Sequence, residues 1–94
     1  MIEIKQIESD TKGYFGAFDG DKEAGRMSYT FAGETKMILD HTEVNNAYRG
    51  QNIGKRILME IVEFARQNKI KILPLCPFAK SVFNKIEDIR DVLL

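Results

Sequence analysis

At Asn45 the chain changes its periodicity, and this change restricts the possible folds more than any other feature. Before it, apolar and polar residues alternate in short runs, the period of a half-buried strand. Ile2 and Ile4 alternate with Glu3 and Lys5 and predict a first strand. Lys12 to Phe18 reads as a second. Asp19-Gly20-Asp21 is a hairpin signal, because Asp-Gly tolerates the positive φ of tight turns. Lys22 to Phe31 returns as a third strand, with Met27, Tyr29 and Phe31 forming a core stripe and Ser28 and Thr30 facing the other way. Ala32-Gly33-Glu34 turns into a fourth strand, Thr35 to Val44. Short connections make these four strands an antiparallel meander.

After Asn45 the period becomes helical. Ile53, Ile57, Leu58, Ile61, Val62, Phe64 and Ala65 share one face, predicting an amphipathic helix over 52–68. Lys69 to Leu75 carries Ile70, Ile72, Leu73 and Leu75, a short buried strand bounded by Pro74 and Pro77. Strand, helix and strand over about thirty residues is a βαβ unit with a right-handed crossover, so strands four and five run parallel. Pro77 suits the first turn of a last helix, where a missing N–H costs nothing. Phe78, Val82, Phe83 and Ile86 give that helix its apolar face. The Val92-Leu93-Leu94 end packs down or adds an edge. The expected class is α/β (α+β), a single domain over 1–94.

Several functions are excluded by composition. The formal net charge is zero, so nothing global attracts nucleic acid or an anionic membrane, and any anion site must be local. One cysteine and one histidine form no spaced metal-ligand cluster, so no metal is expected. No stretch approaches the roughly 20 apolar residues of a membrane span. The start of the chain lacks the apolar run of a signal peptide, and the expectation is a cytoplasmic protein.

The turn Arg49-Gly50-Gln51-Asn52-Ile53-Gly54-Lys55 breaks a local rule. Helix starts expose unpaired N–H groups and the positive end of the dipole, and ordinarily carry Asp or Glu. Here Lys55 and Arg56 occupy the first turn, with Arg49 just upstream. Those cations are unfavourable there unless an anion sits at the helix end. Gly50 and Gly54 let the backbone approach phosphate oxygens closely. The segment is neither a P-loop, since Arg56 stands where Ser or Thr is needed, nor G-x-G-x-x-G.

This stretch resembles the [QR]-x-x-G-x-[GA] motif of the Gcn5-related N-acetyltransferase (GNAT) superfamily. Arg49 takes the first position and Gly54 the last. Asn52 stands where Gly is usual, and Asn tolerates left-handed conformations. The strand end His41-Thr42-Glu43-Val44 and the segment Pro74-Leu75-Cys76-Pro77 are similar to a subfamily of very small acetyltransferase-like proteins. The resemblance implies a minimal mixed sheet that splays open between strands four and five. It implies acetyl-CoA (CoA) as cofactor, its pantetheine arm on the backbone of Thr42, Glu43 and Val44. The pyrophosphate would rest on the N–H groups of Gln51, Asn52, Ile53, Gly54 and Lys55. Arg49, Gly50 and Arg56 complete this cofactor-binding set, and Phe78 opens the helix that flanks it.

The implied chemistry is attack of an amine on a thioester. Many members of the superfamily use a Tyr on the last helix as the acid; this helix has Phe78 and Phe83 and no Tyr. Cys76 is the substitute, because it precedes a helix start, a location that favours thiolate. It could protonate the leaving thiolate or take the acetyl group itself; a single cysteine is also commonly an inert packing group. His41, expected on one strand face with Leu39 and Glu43, is a general-base candidate or a hydrogen-bonded structural histidine. Tyr29 and Tyr48 read as packing, and the carboxylates of Glu87-Asp88-Ile89-Arg90-Asp91 as a solvated face.

Two functions follow. One is an N-acetyltransferase acting on an unidentified amine, an open site suiting a protein or peptide amine better than an enclosed small molecule. The other is an acetyl-CoA-binding module that transfers little or nothing. Ser9-Asp10-Thr11 leaves no room for the helices that build the acceptor pocket in larger members, which favours an open site or the second function. A monomer or weak homodimer is expected. Without the resemblance, what remains is an anion-binding α/β domain.

Overall fold

The computed structural model describes residues 1–94. Strands β1 (Ile2–Ser9), β2 (Lys12–Asp19), β3 (Lys22–Phe31) and β4 (Lys36–Val44) are followed by helix α1 (Ile53–Asn68), strand β5 (Lys71–Pro74) and helix α2 (Pro77–Lys85). The sheet runs in chain order, with antiparallel neighbours until β5 joins β4 in parallel. The class and the order of elements are those anticipated. Two short 3-10 segments, Asn46–Tyr48 and Glu87–Val92, were not legible, being too short to show a period.

One face of the sheet carries the core. Phe15, Ala17, Met27, Tyr29, Met37 and Leu39 project from it onto Ile53, Ile57, Leu58, Ile61, Val62 and Ala65 of α1, and all are buried. Phe15 packs edge-on against Phe64 with ring centroids 5.6 Å apart. Tyr29 keeps its hydroxyl satisfied by accepting from Gln6 Nε2 at 2.9 Å, and its burial raises its pKa. Helix α2 adds Ala79, Val82 and Phe83 to the same core. The other face of the sheet has no helix over it, because β1 and β2 are joined by a two-residue turn at Asp10-Thr11. Leu73 and Leu75 on that face stay 37% and 51% exposed.

Two bulges interrupt the pleat, one at Ala24 in β3 and one at Asp40 in β4. A bulge inserts one residue and reverses which face later side chains take.

The C-terminus does both things expected of it. Val92 is buried, and Leu93 bridges to Ile72 while Leu94 N donates to Ile72 O at 2.9 Å. Its acidic segment, read as a merely solvated face, is exposed but not idle. Arg66 Nε and Nη2 donate to both oxygens of Asp91 at 2.9 and 2.8 Å, and Nη1 donates to Glu63 at 2.8 Å. Arg90 donates to the Phe83 and Asn84 carbonyls, closing the end of α2.

The Arg66 hydrogen bonds hold the Asp91 carboxyl below its ordinary value of 3.8, and a hydrogen bond from Tyr48 does the same for Asp19. A depressed carboxyl contributes stability fully above its unfolded pKa and loses it as pH falls through the folded value. Melting temperature is therefore expected to fall on acidification below about pH 4. Arg66→Met should shallow that acid limb by freeing Asp91, which melting curves from about pH 7 to about pH 2 on both proteins will check.

Candidate active site

The site is built where β4 and β5 part. Their pairing ends at Leu39 with Pro74. The Leu39 carbonyl accepts from Leu75 N and Cys76 N at 3.0 and 3.2 Å, and the chain then turns away into α2. From Asp40 to Val44, β4 keeps its β3 partner and has no strand on its other side. A backbone edge of this kind offers N–H and C=O groups to an extended ligand.

At one end of this opening lies Cys76. It is the N-cap of α2, 4% exposed, and its sulfur is 3.2 Å from Thr42 Oγ1. Thr42 was anticipated for its backbone alone; its side chain reaches Cys76 because the Asp40 bulge turns it onto the core face, opposite Met27. The same bulge corrects the placement of His41. Its partner is Ser28, while Leu39 pairs with Tyr29, so His41 lies on the opposite face from Leu39. It shares the uncovered outer face with Glu43, as expected of that pair. His41 and Cys76 therefore flank β4 from opposite sides and do not meet.

The basic turn leads into α1. Gly50 has φ 86° and Asn52 φ 58°, both left-handed, so Asn52 supplies the conformation a glycine would otherwise give. Asn52 is the N-cap of α1, yet its side chain makes no cap hydrogen bond, and the first turn holds no acid. The Asn52, Ile53, Gly54 and Lys55 amides donate to no other group of the protein. Gly54 lies beneath the Phe78 ring, where an added Cβ would stand 2.8 Å from two ring carbons. Its missing side chain brings α1 and α2 together at the opening.

The cations diverge around this turn. Lys55 makes no ion pair and lines a cavity of about 360 Å³ with Asn52, Gly54, Phe78, Ser81 and Lys85. Arg49 donates to Asn46 Oδ1 at 3.1 Å and borders a second cavity of about 350 Å³ with Val44, Gly50 and Ile53. Arg56 reaches the other way, toward the Ile2 carbonyl at 3.5 Å. Gln51 also faces that side, beside Met59 and Glu60. Both left-handed residues, the uncapped amides, the parted strands and the N-cap cysteine thus gather around one opening.

The model of the GCN5-related N-acetyltransferase family matches residues 13–92. The chain belongs to that family. Among solved structures, a GCN5-like protein from Staphylococcus aureus superposes with a TM-score of 0.73 at 36% identity, covering 98% of this chain and 87% of that one. Two larger GNAT folds are also similar, at identities that speak for the fold alone. The ribosomal-protein-alanine N-acetyltransferase of Brucella melitensis gives a TM-score of 0.71 at 17% identity, over 83% of this chain and 62% of that one. The ribosomal-protein-S18-alanine N-acetyltransferase of Escherichia coli gives 0.69 at 12%, over 83% and 53%. This chain thus spans just over half to three fifths of those two enzymes. No curated protein matches it.

Within this GNAT frame two partners escaped the sequence reading. Thr42 reaches Cys76, and Tyr48 donates to Asp19 Oδ2 at 2.7 Å. No local signal reports either contact, since each joins residues far apart in the chain.

Proposed function

We propose that this GNAT chain binds acetyl-CoA and transfers the acetyl group to an amine. The observation that carries this reading is the run of undonated amides from Asn52 to Lys55, at a helix start without acid, beside the unpaired edge of β4. Backbone N–H groups at a helix N-terminus are an anion site in themselves, and Lys55 adds charge. The residues fit a pyrophosphate there: nothing stands within 4 Å of where a Gly50 side chain would be, and no carboxylate lines the cavity that Lys55 shares with Phe78.

The bound thioester supplies an activated acetyl group, and the chain supplies position and protons. The Thr42 to Val44 backbone orients the pantetheine arm by strand-like pairing. Cys76 stands by the parted strands, held against Thr42. It either gives its proton to the departing sulfur or takes the acetyl group on its own sulfur before an amine does. His41 and Glu43 stand on the open face of β4, where an incoming amine can be deprotonated. Calorimetry with acetyl-CoA and CoA tests the cofactor; absence of binding at millimolar concentration overturns the reading. Lys55→Ala is expected to weaken CoA binding about tenfold, and an unchanged affinity would contradict the placement of the phosphates.

A second reading, a CoA-binding module with little transfer, is favoured by the uncovered outer face. The Asp10-Thr11 turn provides no wall for an acceptor. Turnover against a panel of amines and peptides, followed as free thiol released, separates the two.

A further inference from the structure

Between β4 and the basic turn, the 3-10 segment Asn46–Tyr48 is fastened at three points. Asn45 N donates to the Ala24 carbonyl at 2.8 Å, at the β3 bulge. Asn45 Oδ1 accepts from Ala47 N at 3.0 Å. Tyr48 Oη donates to Asp19 Oδ2 at 2.7 Å, reaching across to the β2–β3 hairpin. Only the third of these leaves the segment through a side chain. The Tyr48 ring packs against the core, and its carbonyl accepts from Gln51 N at 3.3 Å. That last bond closes the tight turn in which Gly50 is left-handed. One residue therefore grips the hairpin with its hydroxyl and the phosphate turn with its carbonyl.

We propose that Asp19 is a positioning residue for the anion site, acting through Tyr48. This inference rests on the reading that the amides from Asn52 to Lys55 hold the pyrophosphate of CoA. The turn must present its amides in one geometry, and a loop ordered before binding spares the entropy of ordering it afterwards. The helix end of the turn is ordered by α1 itself. The strand end has only the short 3-10 segment, too brief to be stable alone. A charged acceptor makes the Tyr48 hydrogen bond stronger than a neutral one would. Asp19 is half-exposed and its other oxygen lies 3.6 Å from the Met1 amino group, so no apolar packing of the carboxylate competes as an explanation of its placement. Tyr48 borders the cavity that Arg49 and Gly50 share, whereas Asp19 lines none of the cavities around the turn, so the Asp19 variants read the indirect effect.

The test is a double-mutant cycle read as the affinity for CoA by calorimetry, with melting temperature measured alongside. Tyr48→Phe keeps the ring and removes only the donor; Asp19→Ala removes the acceptor. Each is expected to weaken CoA binding about three- to tenfold, the scale of an indirect effect on a binding site. The double variant should be no weaker than either single one. Asp19→Asn retains an acceptor and should recover most of the affinity, a rescue that general destabilisation would not produce. Unchanged affinity in Tyr48→Phe, or additive losses in the double variant, overturns the inference while leaving the CoA reading intact. Wild-type protein that fails to bind CoA overturns that reading and this one together.

Discussion

Ile57→Ala is expected to melt more than about 8 °C below the wild type, from a loss of about 2–5 kcal/mol. Ile57 lies in the second turn of α1 and is fully buried between the helix and the sheet. Truncation removes the transfer free energy of its side chain and leaves a cavity that packed neighbours fill only in part. The loss is a large share of the roughly 5–15 kcal/mol that holds a domain folded, and a short chain has little surplus. Met59, two residues along and 37% exposed, is the control: its replacement by Ala should change stability by less than about 0.5 kcal/mol. Equal effects at both positions would contradict the assignment of the buried face. Since Ile57 lies one turn beyond the uncapped amides, Ile57→Ala should also blur CoA binding as the helix end loosens.

Cys76→Ala is expected to lower acetyl transfer about a hundredfold or more while leaving CoA affinity nearly unchanged. The asymmetry follows from the layout of the site. The undonated amides belong to the start of α1 and the thiol to the start of α2, so truncating the thiol removes none of the groups proposed to hold the phosphates. A group that acts only on the bond being made or broken changes kcat and leaves binding alone. Mass spectrometry of the wild type after mixing with acetyl-CoA separates the two roles: an acetyl group on Cys76 identifies it as the acceptor, and an unmodified but required thiol identifies it as the acid. Transfer that survives the substitution demotes Cys76 to packing, the role its burial and its contact with Thr42 would then fully describe. Cys76→Ser is informative beside it, since a hydroxyl keeps the hydrogen bond to Thr42 and is a far weaker nucleophile and acid.

The outer face of the sheet gives these expectations their context. GNAT folds longer than this one also superpose on it, with 62% and 53% of their lengths matched. What the chain shares with them is the meander, the helix start and the parted strands. His41 and Glu43 stand on the face of the sheet that no helix covers.

Much of this was readable from local patterns. The strand and helix periods, the Asp-Gly hairpin and the proline before α2 each report a backbone preference that acts over a few residues. The basic helix start was legible because it contradicts the dipole rule within four residues of sequence, and the left-handed state of Asn52 is one that Asn tolerates. What the sequence by itself determined was the order of the elements, the buried stripe of α1 and the basic helix start without an acid. Only the tertiary structure decided which groups meet. The face of His41 depended on the bulge at Asp40, which opposes one residue too many to β3 and reverses the alternation after it. The pairing of Thr42 with Cys76 and of Asp19 with Tyr48 depended on strands brought together across the fold. Periodicity encodes what a residue prefers over one turn or one pleat. A bulge shifts that pattern by one position, and a long-range hydrogen bond joins residues whose sequence separation records nothing of their distance in space.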